Sequence, residues 1–244
     1  MRNIFTSVLL LIACTAWAGE GDPAMKKMYD RYHGKWHSSL RFVQETKRYR
    51  NDSLISTSTW YETIVYPRMF RIDLGVPDSG NCVIYRNDSA YIFRTHRLVR
   101  GRVDTNDLLF MLGGMYFAGS YDEVVSRYAV MGYDVRKGYE AEHNGKAVYV
   151  VGTANAQEKG NQIWIDKKRM RVVKFVKYSG KEKEEGVFED HKKIGKGWCE
   201  TEVTFYINGK LQQREYYRNI VAGKEYDPVL FSPATPWKYH WYKP

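Results

Sequence analysis

From Leu40 onward the chain alternates apolar and polar residues in short runs divided by turn residues. Val203, Phe205 and Ile207 share one face of such a run, against Glu202, Thr204 and Tyr206 on the other. A period of two marks half-buried strands, with one face of a sheet dry and the other wet. Runs of this kind recur from 40–49 to 210–220, about eleven in all. Asn87-Asp88, Asn144-Gly145 and Asn208-Gly209 supply the hairpin turns between neighbours. The segment 59–66 runs into Pro67, and a second alternating run follows at once with Phe70, Ile72 and Leu74 on one face. Proline cannot donate to a ladder, so Pro67 predicts a corner between two strands.

Two segments break the period. Residues 22–37 carry Met25, Met28, Tyr29, Tyr32 and Trp36 at helical spacing, with Asp22 as N-cap and Pro23 in the first helical position. Residues 105–133 interrupt the strands with Leu108 to Leu112, then Gly113-Gly114. Ser120 and Glu123 form a capping box there, predicting a second helix that ends before Gly132. The pattern predicts a mainly β (α+β) chain with a long antiparallel sheet, an N-terminal helix and a helical insertion. No repeat or linker divides it, so 19–244 reads as a single domain.

The first residues read as an export signal. Arg2 precedes an apolar stretch from Ile4 to Ala13, and Ala16-Trp17-Ala18 offers a cleavage site, making 1–18 a signal peptide. Leu11 to Cys14 also fits a lipoprotein box, with Cys14 lipidated and the signal cleaved before it. Both readings stand, and they lead to the periplasm, free or membrane-anchored. No apolar stretch reaches the roughly 20 residues that span a bilayer.

Charge adds little. There are 38 basic and 28 acidic residues, a net +10, but they are interleaved, as from Lys181 to Glu185. No basic helix or nucleic-acid motif appears, so the charge reads as a solvated surface, with attraction to an anionic membrane surface or ligand as the alternative. Cys82 and Cys199 lie in strand-like runs without metal or redox spacing. They read either as buried apolar residues or as a pair. His33 and His37 stand four apart without the acid of an H-E-x-x-H motif, and no nucleophile elbow or phosphate loop is present. The residues predict no enzyme, metal or cofactor.

The order of elements resembles the LolA/LolB-like lipoprotein carriers (the outer membrane lipoprotein-sorting type). The N-terminal helix runs into Phe42-Val43-Gln44, similar to that family's F-x-Q strand. The Pro67 corner, the hairpin from Gln162 through Asp166 to Lys174, and the closing Asn219 to Phe231 follow in the family's order. The resemblance implies an antiparallel half-barrel of about eleven strands around lid helices, binding lipid or lipoprotein acyl chains for sorting to the outer membrane. It implies a monomer without catalysis. An envelope sensor or scaffold that binds a protein partner is the alternative on the same fold. The implied lipid-binding residues are Trp60, Ile64, Phe70, Ile72, Leu109, Met111, Leu112 and Met115. Carriers of this family hold the lid with an Arg before the corner Pro; this chain has Tyr66 there. The aromatic tail from Thr235 to Tyr242 extends beyond the family's last anchor and is expected to cover an edge strand.

Overall fold

A computed structural model describes residues 21–238 and 240–242. The expected signal peptide at 1–18, with its two candidate cleavage sites and Cys14, lies outside the described residues. The first helix, α1 (Gly21–Tyr32), buries Ala24, Met25, Met28, Tyr29 and Tyr32 along one stripe. It stops short of His37 because Gly34 turns to a φ of 66°, which ends the helical path. Trp36 still packs edge-on against Tyr32, with ring centres 5.1 Å apart.

Six strands follow: β1 (Ser39–Arg50), β2 (Ser53–Val65), β3 (Met69–Leu74), β4 (Cys82–Arg86), β5 (Ser89–Arg94) and β6 (Arg97–Val103). The insertion comprises α2 (Asp107–Leu112), a 3-10 turn at Gly114–Phe117 and α3 (Tyr121–Val130). Ser120 Oγ caps α3 by accepting from Glu123 N–H, and Glu123 reaches back to Gly119 N–H. Strands resume with β7 (Gly138–His143), β8 (Lys146–Val151), β9 (Gln162–Asp166), β10 (Val172–Ser179) and β11 (Glu182–Glu189). Then come β12 (Lys192–Ile194), β13 (Gly197–Cys199), β14 (Glu202–Ile207) and β15 (Lys210–Ala222).

One antiparallel sheet holds 13 of these strands, in the order β6-β5-β4-β3-β2-β1-β15-β14-β11-β10-β9-β8-β7. It is an open half-barrel. Its two halves are joined where β15 returns to pair with β1. The expected count of about eleven is low for two reasons. Arg97–Val103 is exposed at every residue, so it shows no alternation to read. The short ribbon β12–β13 had merged in the sequence with the strands on either side of it.

The filled half of the concave face lies under α1 and the insertion. Met25, Met28, Met111, Met115, Ile163 and Ile165 are fully enclosed there, together with Tyr128. Side chains of β3 point the other way at alternate positions, and there the structure departs from expectation. Among its described residues the C-terminal segment lies across the outer face and not along a sheet edge: Leu230 and Phe231, just before the tail, pack on Cys82, Ile84 and Phe93, and Trp237 of the tail meets Phe93 and Arg71.

A buried ion pair fastens it. Arg71 meets Asp73 through two parallel bonds of 2.8 and 2.9 Å, and both side chains are about fully enclosed. Arg71 Nη1 also donates to the carbonyls of Pro236 (2.6 Å) and Leu230 (3.2 Å). Asp73 accepts from the indole N–H of Trp241 at 2.7 Å. The two remaining cysteines are free: Cys82 is buried under the tail, and Cys199 is buried on the concave side. Removing one member of a buried pair leaves the other charge uncompensated, at a cost of about 3–5 kcal/mol. Arg71→Ala is expected to lower the denaturation midpoint by that order and to raise Trp241 exposure to quenchers. The double variant Arg71→Met/Asp73→Leu should lose less; a loss as large would show that the pair's desolvation does not govern the site.

Candidate functional site

The open half of the concave face follows from register. Across β2 and β3, Ile64 faces Phe70, Glu62 faces Ile72 and Trp60 faces Leu74. On the other flank of β2, Leu40 faces Ile64 and Phe42 faces Glu62. Residues two apart share a face, so Trp60, Glu62, Ile64, Phe70 and Ile72 turn to the same side. Leu108, Leu109 and Leu112 of α2 come down over them. The space enclosed is about 220 Å³.

Six of the eight residues implied by the resemblance line this cavity: Trp60, Ile64, Phe70, Ile72, Leu109 and Leu112. Met111 and Met115 stand elsewhere, sealed in the filled half against α1 and β9. Helical geometry accounts for the split. Leu109 and Leu112 are three apart and share one face of α2, while Met111 points off it.

Several contacts hold α2 in place. Asn106 Oδ1 accepts from Leu109 N–H at 3.1 Å, capping the helix. Asp107 pairs with Lys177 on β10. Arg127 of α3 donates to the Thr105 carbonyl at 3.0 Å. Tyr66, which stands where the family resemblance implies a latch Arg, acts by packing. Its ring lies so close to Gly113 that a Cβ there would sit 2.4 Å from it, and its other side stacks on Phe117.

The cavity also holds acids, which alternation places there but which read in the sequence as solvent-facing. Glu62 is buried, and burial, reinforced by the nearby charges of Glu215 and Glu200, pushes its carboxyl well above the usual range. Glu200 is pushed up to about 7, chiefly by burial. Glu215 is raised by burial, against hydrogen bonds from Tyr217, Gln213 and Gln44 that lower it. The signal was available: Glu62 lies between Trp60 and Ile64 at the same parity, on the apolar face.

His33 and His37 do not converge on a metal. His33 Nδ1 lies 3.1 Å from the Tyr116 carbonyl, and His37 is driven down to about 4 by burial beside Trp36. Among the described residues no group of three or more His, Cys, Asp or Glu gathers as metal ligands, and no helix is long and apolar enough to cross a membrane. A second cleft of about 250 Å³ lies between the insertion and the turns that carry Arg68 and Asp88. Its charged residues neutralise one another, as Arg68 and Arg127 both approach Asp88. The apolar cavity is therefore the better candidate site.

No family model and no curated protein matches the sequence. Solved structures do. The fold is similar to a DUF1329 family protein from Desulfovibrio piger, with a TM-score of 0.60 at 13% identity over 88% of this chain and 97% of that one. A putative outer membrane lipoprotein-sorting protein domain from Vibrio parahaemolyticus gives the same four values. A LolA superfamily protein from Nitrosomonas europaea aligns with a TM-score of 0.54 at 8% identity, over 85% of this chain and 97% of that one. The chain shares the fold of these three proteins.

The raised acids fix a sign for pH dependence. The native state keeps protons that the unfolded chain releases, so stability conferred by protonated Glu200 is complete below 4.5 and is lost as pH rises to about 7. His37 and His191, both driven down to about 4, contribute the opposite slope. Thermal melts from pH 4.5 to 8 should therefore be read as a difference. Wild type is expected to lose stability relative to Glu200→Gln across that window; a constant difference would mean that Glu200 titrates normally.

Proposed function

We propose that this chain is an exported lipid-binding protein of the periplasm. It holds a lipid or lipoprotein acyl chain against the concave face for carriage or sorting to the outer membrane. The observation that carries the reading is the cavity itself: an apolar space on the open half of the sheet, roofed by three leucines of a six-residue helix. Each methylene transferred from water into such a space gains about 0.8 kcal/mol. An acyl chain needs no polar partner along its length, and the fold similarity to a lipoprotein-sorting domain supports the same class of ligand.

The size of the cavity adds a constraint. At about 220 Å³ it is smaller than the ~300–1,000 Å³ of most ligand pockets. A long chain must displace Leu109 and Leu112, so α2 acts as a lid that refills the space when ligand leaves. Tyr66 and Gly113 set its resting position. The site works by binding, without catalysis and without a cofactor, in a single-domain monomer.

Purified protein extracted with organic solvent should release lipid, and a fluorescent fatty acid should bind at micromolar concentration. Phe70→Asp places a charge among the cavity's apolar side chains and is expected to weaken binding at least tenfold. Met111→Leu, on the far side of α2, should leave it within about twofold. Absence of both extracted lipid and probe binding would remove the reading.

Strand β6 offers an opening for a protein partner: it is one of the two edges of the sheet, and Leu98, Val99 and Val103 are exposed there among arginines. Open edges accept an added strand. The tail is not such an opening, since Trp241 is tied to Asp73. A partner docked on β6 should be lost from Leu98→Glu/Val103→Glu while fatty-acid binding is kept; a partner retained by that variant docks elsewhere.

A further inference from the structure

The cavity carries a polar requirement that an acyl chain alone does not meet. Glu62 is 4% exposed and faces the cavity. Its cross-strand neighbours on both sides are apolar, Phe42 on β1 and Ile72 on β3. Its carboxylate makes no hydrogen bond and no ion pair among the described residues, whereas Glu215 accepts from Tyr217 and Gln213. Glu200 and Glu215 line the same space, and no Lys, Arg or His does. A buried acid without a partner is costly, and evolution does not ordinarily leave one beside two more.

We propose that the cavity takes an amphiphile whose polar end carries a protonated amine, set against Glu62 with Glu200 and Glu215 nearby. The inference rests on the lipid-binding reading and names the headgroup chemistry of that same site. A buried ammonium supplies both what Glu62 lacks, hydrogen-bond donors and a positive charge. The chain of the ligand lies along Phe70, Ile72 and the leucines of α2. The raised carboxyl of Glu62 agrees in direction: burial and the nearby acids Glu215 and Glu200 disfavour its charge, and a cation set against it would offset both.

The test compares three ligands of one chain length, dodecylammonium, dodecanol and dodecanoate, below their micelle concentrations by calorimetry. Dodecylammonium is expected to bind at least ten times more tightly than dodecanol, and dodecanoate more weakly than either. The protein's net charge of +10 works against this order, so surface attraction cannot produce it. Glu62→Gln should bring dodecylammonium to within about twofold of dodecanol while leaving dodecanol unchanged. Dodecanol binding without an ammonium preference in the wild type would overturn the headgroup assignment and keep the lipid-binding reading. A preference that survives in Glu62→Gln would also overturn the assignment. Failure of all three to bind would overturn both. The wild-type series needs no variant, so a poorly folded Glu62→Gln protein would leave the first comparison decisive.

Discussion

Arg71 and Asp73 stand two apart on one face of β3, and that spacing dictates what the opposite face must be. Phe70 and Ile72 are forced inward by the same pleat that sends Arg71 and Asp73 outward. Outside, the ion pair binds two carbonyls and an indole, converting a run of aromatic residues into a cover for β3 to β5. Inside, the apolar side chains meet α2, which is held from outside the cavity by the Asp107–Lys177 pair and by the bond from Arg127 to the Thr105 carbonyl. The outer face is sealed by a fully buried ion pair, and the inner face by apolar contact with a helix whose polar ties lie nearer the surface.

Much of this was readable from residue order. The hairpin turns at Asn144-Gly145 and Asn208-Gly209 join β7 to β8 and β14 to β15 as their chemistry demands. The Pro67 corner joins β2 to β3, and alternation alone placed Trp60, Ile64, Phe70 and Ile72 on one face. What failed to show has physical causes. Strand β6 is an edge exposed on both faces, so it carries no burial pattern. The place of the tail is not legible because an aromatic run states that it is buried without stating against what. Its partner is Arg71, far away in sequence, which donates directly to the carbonyls of Leu230 and Pro236.

The insertion divides labour within six residues. A helix this short is not stable by itself in water, so α2 exists only through what holds it. Met111 anchors one side in the filled core, where it is wholly buried. Leu109 and Leu112 hang over the cavity from the other. The Asn106 cap, the Asp107–Lys177 pair and the Tyr66–Gly113 contact are each worth little alone. Together they set the position of α2. A guanidinium is one way to hold such a helix; a tyrosine ring seated on a glycine is another, and it depends on shape where the guanidinium depends on charge.

The distribution of charge carries the argument a step further. The chain is basic overall, with 38 basic residues against 28 acidic. Its cavity reverses that balance, with Glu62, Glu200 and Glu215 among the lining residues and no base. A basic exterior draws the protein toward anionic surfaces. An acidic interior repels anions and is suited to cations. A site intended only for hydrocarbon would gain stability by replacing Glu62 with a residue like its neighbours Phe42 and Ile72, since an unpaired buried acid costs what an apolar side chain does not. That this acid sits between apolar cross-strand neighbours, Phe42 and Ile72, is the strongest reason to propose an amphiphile over a bare hydrocarbon, its tail supplying affinity and its polar end discrimination.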